Sequence, residues 1–136
     1  MKKNKFIFII FCVLSLVLTA CTGKDKIEYR DGSFDAEAEP DENGWKGQIS
    51  IKVEGGKIAK VDYDEIDSAG EKKSKDTDYA KAMESSSGVT PADAFKQLEE
   101  ALINSQDPDK IEAVSGATAS SASFKKLAKE VLEGIK

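Results

Sequence analysis

The stretch from Glu112 to Lys125 reads EAVSGATASSASFK, and the Thr118 hydroxyl near its middle has very little bulk around it. A third of the chain is charged, yet the twelve residues 113–124 carry no charge, and the nine from Ser115 to Ser123 are only Ser, Gly, Ala and Thr. Two readings compete for this window. In the structural one, Gly116 makes a tight turn and Thr118 or Ser120 caps the helix that follows. In the functional one, small side chains at Ser115, Gly116, Ala117 and Ala119 let something bulky approach the backbone. The helix N-terminus beyond them then presents unpaired N–H groups and a partial positive charge that suit a phosphate. The window is no Walker loop, because the lysine and the second glycine are missing. A phosphate here needs another tie, and Thr118 offers a hydroxyl.

The rest of the composition narrows the chemistry further. The chain has no histidine, which removes Ser-His-Asp and Cys-His nucleophile systems, axial haem histidine and nearly all zinc sites. Of its two cysteines, Cys12 lies in a leader-like apolar run, leaving Cys21 alone. No intramolecular disulfide, iron–sulfur cluster or thiol redox pair can be built from it. A redox role therefore needs an organic cofactor, and a catalytic role needs carboxylates, Lys or Tyr. The Asp and Glu residues show no paired arrangement that would mark a hydrolase site.

Residues 1–20 read as a lipoprotein signal peptide. Lys2, Lys3 and Lys5 precede an uncharged run from Phe6 to Ala20, which at 15 residues is short of the ~20 a spanning helix needs. The run ends in LTAC, which resembles a lipobox with Cys21 as the lipidated residue. A thioether-linked lipid plus added acyl chains such as palmitate would hold the chain on a membrane stably. Residues 21–28 form the lipidated cysteine and a polar tether, and residues 29–136 form one domain. Without the three leader lysines, 17 basic side chains face 25 acidic ones, a net charge of −8. That balance argues against nucleic acid and against lying flat on anionic lipid. The expected location is the extracytoplasmic face of the cell membrane.

Positioning the window requires a sheet and helices. GSFDAEAE alternates as a short strand, and WKGQISIKV alternates clearly, with Ile49, Ile51 and Val53 on one face. EGGK is a hairpin turn. On the return strand Ile58 falls out of phase with Val61 and Tyr63, predicting a bulge near Ala59–Lys60. SKDTDYAKAMES places Tyr79 and Met83 on one stripe of a short helix, which could line the site of a ligand's ring, although the default for such a stripe is core. TPADAFKQLEEALINS has Thr90 as N-cap and Pro91 at the first helical position. PDKIEAV reads as a loop into a short strand. From about Ser120 onward, Phe124, Leu127, Ala128, Val131, Leu132 and Ile135 recur at helical spacing. The expectation is an α+β fold, a twisted antiparallel sheet with about three helices packed on one face.

With these elements in order, four blocks resemble the FMN-binding domain family, which includes the C-subunit of the sodium-pumping NADH:quinone reductase and related surface lipoproteins. They are YRDGSF, GWKGQISIKVEGGKIAKVDYDE, KDTDYAKAM and SGATASS with its helix, covering about Tyr29 to Ile135. In that family the last threonine of a D-x-x-(S/T)-G-A-T pattern carries FMN through a phosphoester. The resemblance implies Thr118 as acceptor, with Ser115, Gly116 and Ala117 in the preceding places and Glu112 where the pattern has Asp. The Glu112 carboxylate thus sits one methylene further out. A threonine hydroxyl is a weak nucleophile without a base, and no candidate base stands beside Thr118 in the sequence. The resemblance accordingly implies a separate flavin transferase that uses FAD as donor. It further implies an electron carrier, not itself an enzyme, fed by a membrane quinone or NADH oxidoreductase. The competing expectation is a non-redox surface lipoprotein that binds a ligand or partner.

Other features weigh less. Trp45, the sole tryptophan, is expected to pack at a strand start rather than stack on a ligand. Counted with Glu39 as the first position, the loop starting at EPDENG has Ser50 at the twelfth, where an EF-hand needs a bidentate Glu. The charged run from Glu71 to Asp78 reads as a solvated loop.

Overall fold

A computed structural model of the protein describes residues 26–136. The leader, Cys21 and the first part of the tether lie outside the described residues. Three strands form an antiparallel sheet in chain order, β1 (Gly32–Glu37), β2 (Lys46–Glu54) and β3 (Lys57–Ile66). The β2–β3 hairpin turns on Gly55 and Gly56, whose φ angles of 60° and 75° meet the left-handed requirement of a two-residue turn. Lys52 pairs with Lys60 and Val53 with Ile58. Ala59 is therefore the extra residue, the bulge that the phase slip predicts, and it returns Ile58, Val61 and Tyr63 to one buried face.

Three helices complete the α+β fold: α1 (Thr77–Ser87), α2 (Pro91–Ser105) and α3 (Thr118–Glu133). α2 packs on β3, and α3 crosses β2 and β1. Their apolar stripes close the core over Ile49, Ile51 and Val53. Phe124 of α3 is fully buried, and its ring meets that of Tyr63 edge-on at 5.2 Å. α1 buries none of its residues and leans on a 3-10 turn at Lys73–Lys75. No described helix is long and apolar enough to cross a membrane.

The free edge of β3 is covered by side chains of α2 and its C-cap. Glu99 Oε1 accepts the Tyr63 N–H at 2.7 Å, and the Gln106 amide both accepts from the Ile58 N–H and donates to the Ile58 carbonyl. Open strand edges invite pairing with other chains, and these contacts block that.

Two expectations are corrected. The segment after Pro108 forms a 3-10 turn, Pro108–Lys110, and then runs on to Val114 without strand pairing. Its Val114 N–H bonds to the Ser121 hydroxyl at 3.0 Å rather than to a strand. The charged run is not wholly solvated either. Lys73 is 5% exposed and pairs with Glu65, itself 4% exposed, at 2.6 Å.

Candidate functional site

The window folds as a stapled turn. Buried Ser121 accepts the Val114 N–H and donates to the Ala117 carbonyl at 2.7 Å. The Ala117 N–H closes back on the Val114 carbonyl at 2.9 Å. Gly116 has φ 86°, and a Cβ built on it would stand 2.6 Å from Cβ of Ser87 at the end of α1. Only glycine fits both that φ and that approach. α3 then starts at Thr118, two residues before the sequence expectation, because the Ala117 carbonyl already accepts the Ser121 N–H at 2.9 Å.

This makes Thr118 the first helical residue rather than a cap, and Ser120 is no cap either. Ala117 holds the cap position and offers no side-chain acceptor to the leading N–H groups, whereas Asp76 caps α1 and Thr90 caps α2. The first turn of α3 contains no acidic residue. Its leading N–H groups have no partner within the helix and stand beside the exposed Thr118 side chain.

A cavity of about 390 Å³ opens at this point, within the ~300–1,000 Å³ of small-molecule sites. Gly116 to Ser120 form one wall. α1 contributes Tyr79, Met83 and Ser87 to the lining, and Asp41 and Asn43 contribute from the turn before β2. That turn is held by Asp41 Oδ1, which accepts the Asn43 and Trp45 N–H groups. Trp45 meets Tyr79 edge-on at 5.7 Å.

A buried charge also reaches the cavity. Lys73 lines it, and its ammonium lies 4.7 Å from the Tyr79 ring centroid and 5.1 Å from that of Trp45. Behind Lys73, Glu65 also accepts the Tyr63 hydroxyl at 2.9 Å. Burial, then the Glu65 charge, pushes the Tyr63 phenol well above its ordinary value of 10.0, so it stays a neutral donor.

Of the residues singled out from sequence, Gly116, Ala117 and Thr118 line the cavity, while Ser115 and Glu112 are exposed and stand outside its lining. Tyr79 and Met83 both line the cavity: Tyr79 is exposed there rather than core, while half-buried Met83 also packs against the core. Trp45 packs at the strand start as expected, and its partner is Tyr79 of the cavity wall. Sequence reasoning missed Lys73 and Ser121. Lys73 looks like any other lysine in a charged run, and Ser121 is one of several interchangeable small residues.

The comparisons agree with this geometry. Residues 44–133 match the FMN-binding domain family. The chain is 41% identical over 96 residues to the 15 kDa lipoprotein of Treponema pallidum (strain Nichols), covering 71% of this chain and 68% of that protein. Its fold is similar to the crystal structure of a Clostridium perfringens protein, with TM-score 0.75 and 42% identity over 78% of this chain and 88% of that one. A Clostridium thermocellum protein solved by solution NMR gives TM-score 0.50 and 30% identity over 77% and 91%. The chain belongs to the FMN-binding domain family and is a flavin-binding protein. The residues present fit the cofactor. The uncapped start of α3 suits its phosphate, small side chains from Gly116 to Ser120 line the cavity beside it, and the Tyr79 ring borders the same cavity.

Proposed function

We propose that this protein is an electron-carrying flavoprotein, not an enzyme, that holds FMN covalently through a phosphoester on Thr118 Oγ1. The observation that carries the reading is the coincidence of an exposed threonine, an uncapped helix start and a ligand-sized cavity at the one motif that matches the family's acceptor pattern. Attachment forms a bond from Thr118 Oγ1 to the FMN phosphorus of FAD, with AMP leaving and the hydroxyl proton released. Asp41, Lys73 and Tyr79 are the ionisable side chains on the described cavity lining; Asp41 Oδ1 accepts the Asn43 and Trp45 N–H groups, Lys73 is paired with Glu65 and lies against the Tyr79 ring, and a separate flavin transferase performs this step.

Once attached, the flavin supplies the electron chemistry, while the protein supplies position and charge. The N–H groups of Thr118, Ala119 and Ser120 hold the phosphate. Tyr79, backed by Trp45, would bound the ring. Covalent attachment suits a carrier on the extracytoplasmic face of the cell membrane, where a lost cofactor is not recovered. The LTAC sequence and the lipoprotein name of the Treponema relative support a lipid anchor at Cys21. Electrons then come from a membrane quinone or NADH oxidoreductase and pass to an extracytoplasmic acceptor.

The test is the intact mass of the protein co-produced with a flavin transferase, beside Thr118→Val. The expected result is a gain equal to FMN minus water in the parent and none in the variant. No gain in the parent, with the transferase active on a control substrate, overturns the reading.

A further inference from the structure

Lys73 is the one buried lysine among the described residues, and it lies against the cavity. Its ammonium has three N–H groups, and Glu65 Oε2 is its single hydrogen-bond partner among the described residues. The rest of its surface meets the Trp45 and Tyr79 rings and the cavity. A buried lysine is costly unless paired, and a buried pair is often no better than apolar residues of similar volume. Stability alone is therefore a weak reason for this pair.

Its orientation is set twice. Successive residues of β3 point to opposite faces. Glu65 takes Lys73 on the core side, while Asp64 accepts the Ser74 N–H and hydroxyl on the other. Neighbouring residues of the 3-10 turn are thus clamped by neighbouring residues of the strand. The outcome is directional, because Lys73 lines the cavity and Glu65 does not.

We propose that Lys73, which lines the same cavity as Thr118, contacts the isoalloxazine ring of the flavin, and that Glu65 is the positioning residue that orients and partly offsets its charge. This rests on the flavin reading above. A ring that takes up two electrons and one proton gains one negative charge, which a facing ammonium stabilises. Removing the ammonium and removing the carboxylate behind it should therefore act in opposite directions.

The experiment equilibrates flavinylated protein with a reference dye of known potential and compares the parent with Lys73→Gln, Lys73→Arg and Glu65→Gln. Lys73→Gln should shift the flavin about tenfold toward the oxidised form at fixed potential, about 30 mV for a two-electron couple. Glu65→Gln should shift it toward the reduced form, and Lys73→Arg should stay near the parent. A purely structural role predicts shifts of one sign in all three. The second readout is Trp45 emission, which comes from the sole tryptophan and should fall severalfold on flavinylation. Retained mass gain at Thr118 with no shift, or with shifts of one sign, overturns this proposal and leaves covalent attachment standing. No mass gain in the parent overturns the earlier reading instead. Where Lys73→Gln fails to fold, a Glu65→Gln protein at the parent potential overturns the proposal. Unchanged Trp45 emission on flavinylation of the parent overturns it without any variant.

Discussion

Glu112 occupies the first place of the acceptor pattern yet is exposed and outside the cavity lining. In the flavin-attachment proposal above, a carboxylate placed there would meet a visiting transferase rather than the attached flavin. Glu112→Asp is expected to raise the initial rate of mass gain severalfold while leaving the thermal midpoint unchanged, since exposed substitutions usually stay within about 0.5 kcal/mol. Equal rates in parallel time courses would remove Glu112 from the modification step. Glu99 carries a different consequence. Burial raises its pKa from the ordinary 4.5, its bond from the Tyr63 N–H opposes that, and Asp62 and Asp64 add to the rise. The unfolded chain thus ionises first, so this group's contribution to stability is full below 4.5 and is lost as pH climbs through the raised folded value. Glu99→Gln keeps an oxygen acceptor for Tyr63 and removes the titration. Its urea midpoint should gain on the parent's between pH 4 and pH 7, and parallel pH profiles would refute the assignment.

At the level of elements, the three helix starts divide the labour. Asp76 and Thr90 satisfy the first turns of α1 and α2, and α3 is left open beside Thr118. The signals for α2 were plain in the sequence, because Thr90 and Pro91 act locally. So were the Gly55–Gly56 hairpin and the Ala59 bulge, since alternation has a strict period of two. The segment after Pro108 was not legible, because its backbone partner is a serine hydroxyl seven residues away. Gly116 joins two elements at once. Gly116→Ala must place a methyl 2.6 Å from Ser87 Cβ at φ 86°, costing about 1–3 kcal/mol. It should also push α1 from the α3 start and slow flavin attachment. Both effects are read from denaturant midpoint and intact mass, and an alanine variant with parent values in both would mean that the α1–α3 approach is loose.

Over the whole molecule, the cavity and the tether lie at opposite ends of β2. Tyr29, just past the tether, donates its N–H to the Gly56 carbonyl at the hairpin, while the turn from Asp41 to Trp45 leads into the other end of the strand. The nine residues of β2 separate them by about 27 Å at ~3.4 Å per residue. In a lipidated protein held at Cys21, the cavity is presented away from the bilayer. Trp45 marks that end, so nitroxide lipids labelled at the headgroup should quench its emission only weakly in vesicle-bound protein. Strong quenching would mean that the domain lies on its side with the cavity at the membrane.

The sequence alone determined the features that depend on neighbours in the chain: the strands, the hairpin, the bulge, the capped start of α2, and the small-residue window with Thr118 at its centre. It also excluded histidine and paired-thiol chemistry outright, since composition needs no geometry. Only the tertiary structure brought α1 against Gly116, turned Tyr79 out of the core and into the cavity wall, and carried Lys73 out of a charged run to a buried carboxylate on β3. Those outcomes rest on approaches between residues far apart in the chain. They are set by the bulk of two packed elements and by the need to pair a buried charge, which no local spacing encodes.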